Sequence, residues 1–86
     1  MKRYRAKPVI IEAKLWLKHG DHECVMNTLH EGEECSICGR DMSKHGVIAT
    51  LEGVMTICPG DYLIKGTRGE YYACKPDVFK VKYEAI

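Results

Sequence analysis

Three cysteines and a histidine between residues 35 and 58 carry the chemistry of this sequence. Cys35 and Cys38 stand two residues apart and are followed by Gly39, the pattern of a metal knuckle. Its tight turn aims backbone N–H groups at the thiolates, and the glycine tolerates the backbone angle that this needs. His45 follows, then two apolar runs that meet at Glu52-Gly53 and end at Cys58. A hairpin with its two-residue turn there pairs Leu51 with Val54, Ala49 with Thr56 and Val47 with Cys58. His45 then lies beside Cys58, at the end of the hairpin to which the knuckle is attached. Three sulfurs and one imidazole are a complete tetrahedral set for Zn2+, and four protein ligands leave no position for a reactive water. The predicted metal set is Cys35, Cys38, His45 and Cys58, in a structural role.

Other readings compete for the same residues. Cys24 or His30 can replace one ligand, and His19 and His22 are further imidazoles on the same connector. The cysteines can also be free and buried. A thioredoxin-type redox pair needs a helix N-terminus directly after a parallel strand, whereas here an acidic connector precedes the pair and glycine follows it. A nucleophilic site built from Cys58, His45 and Asp61 lacks any companion that resembles an oxyanion hole. Cys74 reads as a small packing residue.

The 86 residues make a single domain, 1–86, and a domain of this size is often marginal without a staple or partner. A net charge of +1 gives no global reason to seek nucleic acid or an anionic membrane, so nucleic acid is not the expected partner. The charge is unevenly spread: Lys2, Arg3, Arg5 and Lys7 open the chain without an acid, and 21–34 is acidic without Lys or Arg. The run Val9 to Leu17 is broken by Glu12 and Lys14, so it is neither a signal core nor a membrane span. A reducing cytoplasm is the expected setting, where Cys-x-x-Cys favours metal over disulfide.

The supporting elements follow from periodicity. Val9, Ile11, Ala13, Leu15 and Leu17 alternate with Glu12, Lys14, Trp16 and Lys18, which predicts a strand buried on the first face, with Trp16 on the polar one. Asp21 is placed to cap a short helix through Val25, Met26 and Leu29, closing at Gly32. The central hairpin is apolar on both faces, Val47, Ala49, Leu51 and Val54 on one and Ile48, Met55 and Ile57 on the other, so a second layer or a second copy is expected to cover it. Pro59-Gly60-Asp61 is a turn. A second hairpin pairs Tyr62 to Lys65 with Glu70 to Ala73, setting Lys65 opposite Glu70 and Cys74 across from Asp61. The alternation of Phe79, Val81, Tyr83 and Ala85 predicts a last strand. The expected fold is mainly β, a small antiparallel barrel or roll of five to six strands with one short helix and the knuckle.

Several stretches together, Y-R-A-K-P-V-I-I-E-A at 4–13, T-L-E-G at 50–53, C-P-G-D-Y at 58–62, K-G-T-R-G-E-Y-Y at 65–72, C-K-P-D-V-F at 74–79 and K-Y-E at 82–84, make the chain resemble the PGDYG-type small phage and prophage proteins. The resemblance covers most of the chain outside 19–34, and Leu63 stands where the family name places a glycine. It implies a phage origin, hence host cytoplasm, and no particular activity. Variants with and without the cysteine set imply that the metal is an accessory staple.

These readings lead to a non-enzymatic binding protein that associates with itself or with a protein partner. The alternative is sequestration of a nucleotide signal, as an anti-defence protein does, on a surface of Tyr62, Lys65, Arg68, Tyr71, Tyr72 and Lys75, with Asp61 and Phe79 beside it. An enzyme of thiol redox or cysteine type ranks third.

Overall fold

The computed structural model describes residues 1–5, 7–28 and 32–86. It is mainly β: β1 (Glu12–Leu15), β2 (Met26–Asn27), β3 (Gly46–Thr50), β4 (Gly53–Ile57), β5 (Tyr62–Lys65) and β6 (Tyr71–Cys74), followed by one helix, α1 (Pro76–Lys82). The strands form two antiparallel three-stranded sheets, ordered β1-β5-β6 and β2-β3-β4. No ladder joins the two sheets among the described residues, so closure into a barrel is not part of the observed architecture. No described helix is long and apolar enough to cross a membrane.

The core lies between the sheets and consists of Trp16, Val25, Ile48, Ile57 and Leu63, with Cys24, Tyr71 and Ala73 packed against it. Trp16 is 0% exposed, whereas Val9, Leu15 and Leu17 are exposed. The burial expected for the first strand is therefore inverted at its C-terminal end. β1 is an edge strand of only four paired residues, so the second sheet selects which face is covered, and one indole offers more apolar surface than the small aliphatics opposite. Trp16 is held by its backbone as well: its N–H donates to Asp61 O at 2.9 Å and its carbonyl accepts from Gly60 N at 2.8 Å.

The helix expected after Asp21 does not form. The Asp21 carboxylate turns back to accept the Leu17 and Lys18 N–H groups at 2.9 and 3.2 Å, and Cys24 N–H donates to His22 Nδ1 at 3.1 Å. These local bonds offer the backbone an alternative to helix, and the segment leads into β2. Leu29 and His30 lie outside the described residues.

Both hairpins form, each in a shifted register. In the first, Thr50 pairs with Gly53, Ala49 with Val54, Val47 with Thr56 and Gly46 with Ile57, so the loop is Leu51-Glu52. The Thr50 hydroxyl fixes it, donating to Gly53 O at 2.7 Å and accepting from Glu52 N at 3.2 Å. This slip is by two positions, which preserves the assignment of side chains to faces. Ile48 and Ile57 face the core; Met26, Ala49, Leu51 and Val54, on or beside the opposite face, stay exposed.

In the second hairpin Lys65 pairs with Tyr71 and Cys74 with Tyr62, one position from the expected match. Glu70 instead serves the loop: its carboxylate accepts Arg68 N–H at 3.0 Å and its carbonyl accepts Gly66 N–H at 2.8 Å.

The expected last strand is helix α1. Pro76 is pre-set for a first helical turn, Asp77 lies in that turn, and Lys80 and Lys82 lie in the last one. Phe79 and Tyr83, four apart, share a helical face as readily as a strand face. Phe79 stacks on Tyr62 at 3.9 Å between ring centroids, and the Tyr83 hydroxyl meets that of Tyr72 at 3.2 Å.

The inversion at Trp16 is testable by chemical denaturation. Trp16→Ala should cost about 3–5 kcal/mol, and Leu17→Ser should stay within about 0.5 kcal/mol.

Candidate metal centre

Continuing the β3–β4 ladder one pair beyond Gly46 and Ile57 sets His45 directly across from Cys58. The two-position slip thus brings the imidazole closer to the second sulfur than a turn at Glu52-Gly53 would. Both residues are buried, His45 at 0% and Cys58 at 1% exposure.

The knuckle arrives from the other side. Cys35 N–H donates to Arg40 O at 2.8 Å and Gly39 N–H to Cys35 O at 2.9 Å, closing a tight loop that Gly39 completes at φ +77°. Within it Ile37 N–H points at Cys35 Sγ at 3.4 Å. A short 3-10 turn over Met42–Lys44, capped by Asp41 through its bond to Ser43 N–H, then leads into His45.

The result is a cluster of Cys35, Cys38, His45 and Cys58 whose four donor atoms all lie within 4.8 Å of one another. Cys35 Sγ and Cys58 Sγ are 3.8 Å apart, and Cys38 Sγ is 3.1 Å from His45 Nε2. A tetrahedron with metal–sulfur bonds of about 2.3 Å has sulfur–sulfur edges of roughly 3.8 Å, so the first of these distances already matches a shared ion. His45 Nδ1–H donates to Asp41 O at 3.0 Å, which leaves the Nε2 lone pair directed at the sulfurs. Orientation of a ligating imidazole by a backbone carbonyl is the usual outer-shell arrangement of histidine metal sites. The four residues can hold a metal ion, and the donor set is compatible with zinc.

The thiols are polarised against each other. The Cys35 thiol is lowered to about 6, foremost by the Cys38 N–H, with the Ile37 N–H and the neighbouring thiols adding to it against burial. Cys58 is pushed up to about 12, foremost by desolvation.

The turn after Cys58 braces the site. Asp61 N–H donates to Cys58 O at 3.0 Å across Pro59-Gly60, with Gly60 at φ +96° as the third residue of such a turn requires. The Asp61 carboxylate is buried, accepts Cys58 N–H at 2.9 Å and pairs with Lys75 Nζ at 2.9 and 3.0 Å. Asp61 thus positions Cys58 and does not face His45. An Asp–His–Cys relay is not assembled, because the second nitrogen of His45 is taken by Asp41.

The remaining residues singled out from sequence scatter. Cys24 packs on the core, and Cys74 is half-buried opposite Tyr62. His22 packs tilted against Tyr71, with ring centroids 5.3 Å apart, and His19 Nε2 bonds to His45 O at 2.8 Å, next to the centre but outside it. Of the expected ligand surface, Tyr71 belongs to the core side of its sheet, whereas Tyr62 and Tyr72 engage α1 on the opposite side. Lys65 sits across from Tyr71 near Glu12, Arg68 lies in the distal loop and Lys75 is committed to Asp61, so these six residues do not share one surface. Sequence reasoning missed the roles of Asp41 and Asp61. The signal for the second was its place two residues after a cysteine-proline pair, where an Asx side chain can reach back to the amide it follows.

Comparisons with family models, curated proteins and solved structures give no match to the chain.

Two outcomes follow. The downward shift of Cys35 means that its thiolate favours the folded state above the ordinary value of 9.0, and that this contribution is gone once pH falls through about 6. Protons compete with metal for the same donors, so a chromophoric chelator should register progressively more metal release as the pH is lowered from about 8. Asp61→Ala should destabilise the metal-loaded protein by about 2–4 kcal/mol in urea titration, and Asp61→Asn, which keeps an acceptor for Cys58 N–H, by less.

Proposed function

We propose that the protein is a small, non-enzymatic binding protein whose fold is stapled by structural zinc. The observation that carries this reading is the convergence of three cysteine sulfurs and the outward nitrogen of a carbonyl-oriented histidine on one point. Four protein donors complete a tetrahedron, which is the composition of structural zinc sites; catalytic sites keep three and leave one position open.

The PGDYG-type resemblance supports a phage or prophage origin and, with it, residence in a host cytoplasm. Self-association is supported by the uncovered side of the β2-β3-β4 sheet, where Met26 (56% exposed), Leu51 (71%) and Val54 (74%) form an apolar surface with Ala49. In this reading the ligand of the module is a second copy or a protein partner.

Protein purified without added metal should contain close to one zinc per chain by mass spectrometry of the elements. Cys35→Ser combined with Cys58→Ser should abolish both metal and cooperative unfolding, while Cys24→Ser combined with Cys74→Ser keeps both. A stable, metal-free wild-type protein would remove the reading.

A further inference from the structure

We propose that the cleft beside the metal centre is a phosphate-binding site that the metal assembles. The cleft has a volume of about 430 Å³ and is lined by Leu17, Lys18, His19, Arg40, Ser43, Lys44 and Pro59. It thus gathers three fixed cations, an imidazole and a hydroxyl, and no carboxylate lines it.

Two acids flank it and accept backbone amides, Asp21 from Leu17 and Lys18 N–H and Asp41 from Ser43 and Gly32 N–H; each also attracts one lysine of the cleft, Asp21 Lys18 and Asp41 Lys44. Arg40 is held at the rim by donating Nη1–H to Pro59 O at 3.1 Å, which leaves its other donors for a ligand. A guanidinium fork, two ammonium groups and a hydroxyl around one hollow match the tetrahedral oxygens of a phosphate better than a planar carboxylate.

Each wall is also anchored to a candidate metal ligand. Arg40 follows the knuckle at Cys38-Gly39, Ser43 and Lys44 immediately precede His45, and Pro59 follows Cys58. His19 is bonded through Nε2 to the carbonyl of His45. Loss of the ion should disperse all four walls, so the inference rests on the metal-stapled reading. The occupant is a small phosphate-bearing ligand, with Leu17 and Pro59 as an apolar edge for whatever carries the phosphate.

The test is titration of the zinc-loaded protein with inorganic pyrophosphate and, separately, with adenosine diphosphate, followed by amide shifts and calorimetry at low salt. Saturable shifts at Lys18, Arg40, Ser43 and Lys44 are expected, and Lys18→Gln with Lys44→Gln should raise the Kd at least tenfold while the zinc content stays at one per chain. Tighter binding of the nucleotide assigns a nucleotide as the source, and equal binding assigns free polyphosphate. If the wild type holds zinc and shows no saturable shifts, or shows them only at Lys2, Arg3, Arg5 and Lys7, the phosphate site is overturned and the staple stands. A wild type without zinc overturns the staple and the metal-assembled site together.

Discussion

Everything in this fold turns on the pair His45 and Cys58 at the open end of the β3–β4 ladder. The hairpin is a local element whose register is fixed by its own loop, through the Thr50 hydroxyl. Because that register is even-numbered with respect to the pleat, it simultaneously buries Ile48 and Ile57 and sets the imidazole across from the thiol. A single geometric decision therefore places two of the five core residues and two of the four donors. The knuckle needs only to fold back as a tight loop to supply the other two sulfurs.

The second sheet is tied to the same point through the turn that follows Cys58. Asp61 is the joint. Its carboxylate serves the Cys58 amide on one side and Lys75, at the start of α1, on the other, and its carbonyl accepts the N–H of Trp16. A buried carboxylate is costly unless its lone pairs find partners, and here they come from Cys58 and Lys75, while the backbone carbonyl of the same residue takes Trp16. The Pro-Gly-Asp sequence thus acts as a clasp between the sheets. It is a structural motif before it is a functional one.

How much of this was legible in the sequence depends on the range of the forces involved. The knuckle, both hairpins and the turn at 59–61 are encoded by neighbours in the chain, and composition and spacing reveal them. The donor set was legible for the same reason, since its members sit at the ends of local elements. Trp16 was not, because the choice between the two faces of a four-residue edge strand is made by a sheet assembled from residues 26–57. The helix at 76–82 was hidden by an ambiguity of period: Phe79 and Tyr83 satisfy both two and four, and only the Pro76 start and the aromatic contact with Tyr62 decide between them. The absent helix after Asp21 shows the same competition resolved the other way, with side-chain acceptors capturing amides that a helix would have used.

The size of the core explains why a metal would matter here. Among the described residues eight apolar side chains are buried, and two of them, Cys35 and Cys58, are candidate ligands; His45 is buried with them. Without an ion, Cys35 and Cys58 would stay buried with their sulfurs 3.8 Å apart, the Cys35 thiol held down by the knuckle amides and that of Cys58 pushed up by burial. The other buried apolar groups among the described residues, Trp16, Val25, Ile48, Ile57, Leu63 and Ile64, make a small core for two three-stranded sheets. An ion at that point would give the four donors a shared partner inside this small core. Folding and metal binding would then be one equilibrium, as when donors come together only in the folded chain.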